Sequence, residues 1–133
     1  MAFKPGTDDI REAPSIPIIN ELIRHACVIT ASDPVACKNI GELFSDRALT
    51  LFDNWRDAVN QCDATVVLTA WDEYQNIDPW ELKQIMKGDI IIDARRILSD
   101  DFSKFFNVYR IGYSPVKKSV KHDVNFRCGD ELC

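Results

Sequence analysis

Lys4 and Arg11 stand in one short stretch, Ala2-Phe3-Lys4-Pro5-Gly6-Thr7-Asp8-Asp9-Ile10-Arg11-Glu12-Ala13-Pro14-Ser15, that has the makings of an anion site. The same stretch holds three acidic residues, two prolines and a glycine. A loop that only connects elements rarely carries so much placed charge. Pro5 fixes φ and Gly6 permits φ > 0, so the backbone path is set beside Lys4. A point cation there suits a phosphate or a sugar hydroxyl, or is simply solvated. The planar Arg11 guanidinium suits a pyrophosphate. It also has Asp8, Asp9 and Glu12 within reach for an ordinary surface network. An amphipathic pattern follows the loop, and helix starts favour anions.

A second cationic pair, Arg95-Arg96, follows the apolar run Ile90-Ile91-Ile92-Asp93. Adjacent side chains diverge, so one of the two at most faces a common site. Arg96 is expected in a structural pair, with Asp93 as the candidate partner. Asp33 follows an apolar run as a ribose-binding acid would, but no G-x-G-x-x-G precedes it. A turn or helix-capping role is the favoured reading. Trp71 and Tyr74 are candidates for a pocket wall or for packing at a strand end. The acidic pairs Asp8-Asp9, Asp100-Asp101 and Asp130-Glu131 read as solvated or capping groups.

The five cysteines, Cys27, Cys37, Cys62, Cys128 and Cys133, are irregularly spaced and include no C-x-x-C. Free thiols are expected. None has an obvious neighbouring base to activate it. His25 and His122 lack companions at zinc-ligand spacing. With 133 residues the chain reads as one domain. The net charge of −5 argues against a general nucleic-acid or membrane-surface binder. No apolar run approaches the ~20 residues of a membrane span. The first residues lack the apolar stretch of a signal peptide, so a cytosolic location is the default expectation.

Helix-like and strand-like segments alternate, the signature of a parallel α/β sheet. Ser15 is expected to cap a helix running to about His25. Strands are expected at residues 27–31, 49–52, 64–69, 89–93 and 106–112. Helices are expected at 35–44, at 54–60 with Asn54 as cap, and from Asp78-Pro79 to Met86-Lys87, closed by Gly88. Residues 64–69 are apolar on both faces, as a strand buried in the sheet would be. The expected fold is therefore Rossmann-like: three layers around a mostly parallel sheet of about five strands. Residues 1–113 form the domain. From Ser114 to Cys133 the pattern fades into a polar tail. Open sheets bind ligands outside the C-terminal ends of their strands. The 3–11 loop, Asp33, Thr69 to Tyr74 and Asp93 to Arg96 all fall there.

Three segments also carry a resemblance. Phe3-Lys4-Pro5-Gly6-Thr7-Asp8-Asp9-Ile10-Arg11-Glu12, Thr69-Ala70-Trp71 and Asp93-Ala94-Arg95-Arg96 resemble the C-terminal domain of the UDP-glucose/GDP-mannose dehydrogenase family. The likeness is closest to members that oxidise UDP-glucose to UDP-glucuronate. It implies that Phe3, Lys4 and Arg95 contact a UDP-sugar and that Arg11 reaches NAD held by another domain. It also implies that the remainder of a dehydrogenase chain is the partner. The family usually has glycine where this chain has Ala94, which narrows the backbone choices beside Arg95. The family's nucleotide-binding domain and nucleophilic cysteine lie outside the resemblance, so the chain is not expected to catalyse oxidation alone. A stand-alone nucleotide-sugar-binding module is the alternative. In the family the 3–11 loop hangs from a central strand, of which Met1-Ala2 supply only the last rung. The sequence therefore predicts a chain cut from a longer protein or a truncated reading frame, with two unpaired strand edges and reduced stability.

Overall fold

The computed structural model describes residues 2, 4–6, 8–44 and 48–117. Phe3 and most of the expected tail lie outside the described residues. Five short strands alternate with helices: α1 (Ser15–Arg24), β1 (Ile29–Ser32), α2 (Cys37–Leu43), β2 (Leu49–Phe52), α3 (Trp55–Val59), β3 (Ala64–Val67), α4 (Asp72–Gln75), α5 (Pro79–Ile85), β4 (Ile90–Asp93) and β5 (Asn107–Arg110). A 3-10 turn, Asp100–Lys104, precedes β5. The alternation expected from the sequence is present.

The strands form two parallel sheets rather than one. β1 pairs with β2, Ile29 opposite Leu49. β3 pairs with β4 and β4 with β5. Among the described residues, β1 and β3 share no ladder. β3 therefore ends its sheet as an edge strand, and Ala64 and Val66 are exposed. This corrects the burial within the sheet expected for residues 64–69. The residue types suit a buried strand; the pairing leaves one side open.

Local signals explain most boundaries. Asn54 caps α3 by accepting from Asp57 N at 2.9 Å. Asp78 caps α5 by accepting from Trp80 N at 3.1 Å, with Pro79 at the first helical position. Helix α5 ends earlier than expected, with Met86 as its extended C-cap; Gly88 lies beyond it, where a Cβ would collide with the Asp63 backbone. Ser15 is not the cap expected of it. It is fully buried as the first residue of α1, and Pro14 precedes the helix without a side-chain cap bond. Helix α4 was not anticipated; four residues are too few for a periodic signal.

Two apolar cores sit on the two sheets. Around β3–β5, Trp55, Leu82, Ile91, Phe102, Phe106 and Val108 pack together with Tyr74, Met86 and Leu98. Around β1–β2, Ile19, Ile29 and Ile40 form a smaller cluster, against which Ile10 of the charged loop packs. After β5 the chain turns at Gly112, with φ of 84°, and Val116 forms an antiparallel bridge with Val108.

Candidate functional site

Two of the four strand-end pieces, Asp33 and the Thr69 to Tyr74 segment, meet each other and Ala2, which leads into the 3–11 loop. Asp33 is 2% exposed and its carboxylate serves as a hub. Oδ1 accepts from Val35 N at 3.1 Å and Ala36 N at 2.8 Å, which shapes the turn into α2. Oδ2 accepts from Ala2 N at 2.9 Å and from the Trp71 indole N–H at 3.3 Å. Ala2 in turn accepts from Thr69 Oγ1 at 2.9 Å. Tyr74 donates its hydroxyl hydrogen to Ser32 O at 3.4 Å. The beginning of the 2–15 loop is thus bolted to the end of β1 on one side and to the end of β3 on the other. Burial pushes the Asp33 pKa up, but its donors, the Ala36 and Ala2 N–H groups among them, hold it below the ordinary carboxylate value. The capping and turn reading of Asp33 is the one the geometry bears out. Trp71 and Tyr74 act as parts of this latch. Burial raises the Tyr74 pKa well above that of a free phenol.

The latch sets where the charged loop goes next. Lys4 and Pro5 are exposed, and Gly6 has φ of 79°, a conformation that glycine adopts without strain. Farther along, Asn39 of α2 donates to Asp8 O at 2.9 Å and ties the loop to the helix. Arg11 is exposed and folds back on Asp9 through two bonds of 3.0 Å. That pairing lowers the Asp9 pKa from 3.8 to about 2, with the Arg11 side-chain hydrogen bond as the largest cause. The surface-network reading of Arg11 is realised, with Asp9 as its partner.

The fourth piece follows β4, the neighbour of β3. Asp93 is fully buried and accepts from Ile97 N at 3.2 Å and Leu98 N at 3.0 Å. Arg110 of β5 approaches it at 3.6 Å and donates to Leu98 O at 3.0 Å. This fastening presents Arg95 to solvent, where it makes no ion pair among the described residues. Arg96 does not pair with Asp93. Arg110 occupies that place, and the Arg96 guanidinium lies 5.8 Å from the Tyr113 ring centre. The left-handed strain of the turn also falls on Arg96, with φ of 57°, and not on Ala94.

Sequence reasoning did not foresee the role of Ala2, whose side chain has no functional group; its backbone does the work. Cys27, Cys37 and Cys62 are free, as expected. Burial raises the Cys37 thiol pKa, the opposite of what activates a nucleophile. Cys128 and Cys133 lie outside the described residues.

The molecule is a parallel α/β domain with cationic loops at the C-terminal ends of its strands. Residues 1–100 match the model of the UDP-glucose/GDP-mannose dehydrogenase family, UDP binding domain. The chain belongs to this family. It is 36% identical over 101 residues to a UDP-glucose 6-dehydrogenase of Pseudomonas aeruginosa, covering 73% of this chain and 22% of that protein. It is 39% identical over 99 residues to the UDP-glucose 6-dehydrogenase AglM of Haloferax volcanii, covering 74% and 22%. A solved UDP-D-ManNAc dehydrogenase from Pyrococcus horikoshii superposes with a TM-score of 0.65 at 26% identity, over 84% of this chain and 23% of that one. The chain spans about a quarter of the length of these relatives. Among the described residues, no helix is long and apolar enough to cross a membrane.

Proposed function

We propose that residues 1–113 are the UDP-sugar-binding portion of an NAD-dependent UDP-glucose 6-dehydrogenase, active only together with the remainder of that enzyme. The supporting observation is the joint placement of Lys4 and Arg95. One follows a loop start bolted to the end of β3; the other follows β4, the neighbouring strand. Both reach solvent. Cations held on fixed backbone neutralise and orient a diphosphate without rearranging. In this reading Phe3, Lys4 and Arg95 hold the UDP-sugar. Arg11 exchanges its Asp9 partner for the NAD pyrophosphate when the other domain closes. The chain supplies orientation and charge, and the bond making belongs elsewhere in the enzyme. The setting is cytoplasmic, and the product is a nucleotide-linked uronic acid for polysaccharide synthesis.

Calorimetric titration of the folded chain tests this, with UDP-glucose, GDP-mannose and NAD as parallel ligands. UDP-glucose is expected to bind. Lys4→Ala and Arg95→Ala are each expected to weaken it about tenfold or more, the scale of a lost charge-assisted hydrogen bond. UDP-glucose affinity that survives both substitutions overturns the assignment of these residues. A stronger response to GDP-mannose overturns the choice of base.

A further inference from the structure

We propose that Arg110, the last residue of β5, is a positioning residue for Arg95. Its guanidinium clamps the turn at residues 94–99 in the shape that presents Arg95 to a nucleotide sugar. The proposal rests on the UDP-sugar reading of Arg95 and deepens it.

The turn needs a clamp. Arg95 is exposed and makes no ion pair among the described residues, so its place is set by its backbone. Ala94 N donates to Val67 O at 3.1 Å, which pins the start of the turn to β3. The next amides held by Asp93 are those of Ile97 and Leu98. Between these anchors Arg96 has φ of 57°. A side chain larger than glycine keeps that conformation only where its surroundings enforce it.

Arg110 supplies the enforcement. The parallel register of β4 and β5 sets it opposite Asp93. The peptide groups of Leu98 are then gripped from both sides. Its N–H donates to Asp93 Oδ2 at 3.0 Å, and its carbonyl accepts from Arg110 Nη2 at 3.0 Å. Nη2 also lies 3.4 Å from Ser99 O, and Nη1 donates to Asp100 Oδ1 at 3.1 Å. Nε approaches Asp93 Oδ2 at 3.6 Å. One planar group thus reaches a carboxylate and two successive carbonyls of the turn, which the single ammonium of lysine cannot do. The Arg110 side chain is only 16% exposed, so this geometry is shielded from water.

A counter-charge for the buried Asp93 would be a sufficient role for a cation here, but the distances favour the clamp. The approach to Asp93 is the longest of the four, and the shorter bonds go to the turn and to Asp100. Arg110 therefore acts on the segment that carries Arg95, and through it on the ligand.

The experiment compares the parent chain with Arg110→Lys, Arg95→Ala and the two combined. Arg110→Lys keeps a cation beside Asp93 and loses the fork; Arg110→Gln is a second, neutral variant. The first readout needs no nucleotide. Both Arg110 variants are expected to lower the backbone NMR order parameter of Arg95 from about 0.85 to about 0.6. They are also expected to speed amide exchange at Leu98 at least about tenfold while Ile91 and Val108 stay protected. The second readout is calorimetric titration with UDP-glucose. Arg110→Lys is expected to weaken binding about fivefold or more. The combined variant is expected to bind within about twofold of Arg95→Ala alone, because a residue that acts through Arg95 adds nothing once Arg95 is gone. Losses that multiply in the combined variant overturn the proposal. So do an unchanged Arg95 order parameter and a loss of protection that extends to Val108, which is a purely structural role. A parent chain that binds no UDP-glucose, with Arg95 order still dependent on Arg110, overturns the UDP-sugar reading and upholds the clamp.

Discussion

The two halves of this domain are unequal in how they hold themselves together. Among the described residues, the apolar cluster of the β3–β5 half holds nine buried side chains, Phe102 and Phe106 among them, and that of the β1–β2 half holds three. Hydrophobic stabilisation scales with area removed from water, so most of it resides in the larger half. The smaller half carries the charged loop and leans on the larger one through α3, which contacts both β1 and β2, and through polar bonds at the strand ends. Order is generated in the larger half and borrowed by the smaller one. Arg95 stands on the larger half and is positioned by its core. The Lys4 loop is positioned by Asp33, Trp71 and Thr69 across the boundary between halves.

A cavity opened in each half is expected to have unequal consequences. Phe106 and Ile40 are both 0% exposed. Phe106→Ala is expected to cost about 3–5 kcal/mol and to unfold both halves together. Ile40→Ala is expected to cost about 2–4 kcal/mol and to release exchange protection in α1, β1 and α2 while β4 and β5 stay protected. Denaturant melts followed by amide exchange decide this. Uniform loss of protection in Ile40→Ala would show that the halves are one cooperative unit.

A smaller effect is expected from cutting the bolt between them. Asp33→Asn keeps the size of the side chain and removes its charge, at about 1–3 kcal/mol for charged hydrogen bonds weakened together. The Asp33 pKa is lowered in the folded chain from its ordinary value of 3.8. Its contribution is therefore fully present above about pH 4 and is lost as pH falls through the lower, folded value. Acid melts are expected to show this loss in the parent and a flatter profile in Asp33→Asn. Matching profiles would remove Asp33 as the coupling group.

The smallest effect belongs to Arg11→Ala, because both members of its pair stand in solvent. Tm is expected to stay within about 1–2 °C. The Asp9 carboxyl is expected to titrate closer to 3.8 than to its present value of about 2, as read by carbon NMR. An unmoved Asp9 would show that the pairing does not persist in solution.

Much of the molecule was legible in local signals. Asn54 and Asp78-Pro79 announced their helices, whereas Gly88, expected to close a helix, serves a close approach to the Asp63 backbone instead. Two readings failed because they depended on partners distant in sequence. Ser15 looked like a cap until packing buried it. Arg96 looked like a partner for Asp93, but Arg110, fourteen residues farther on, lies beside that carboxylate across the sheet.

By itself the sequence determined which segments become helix or strand, the alternation that makes a parallel α/β fold, and the charged loop that marks the family. Those follow from short-range sterics, capping and apolar period. Only the tertiary structure decided that the strands fall into two sheets and that Asp33, Ala2 and Thr69 join them. It alone separated an exposed Arg95 from an Arg96 that lies over Tyr113. The bonds of the latch span 31 and 67 residues. Pairings at that separation depend on how whole elements pack, and no local propensity encodes them.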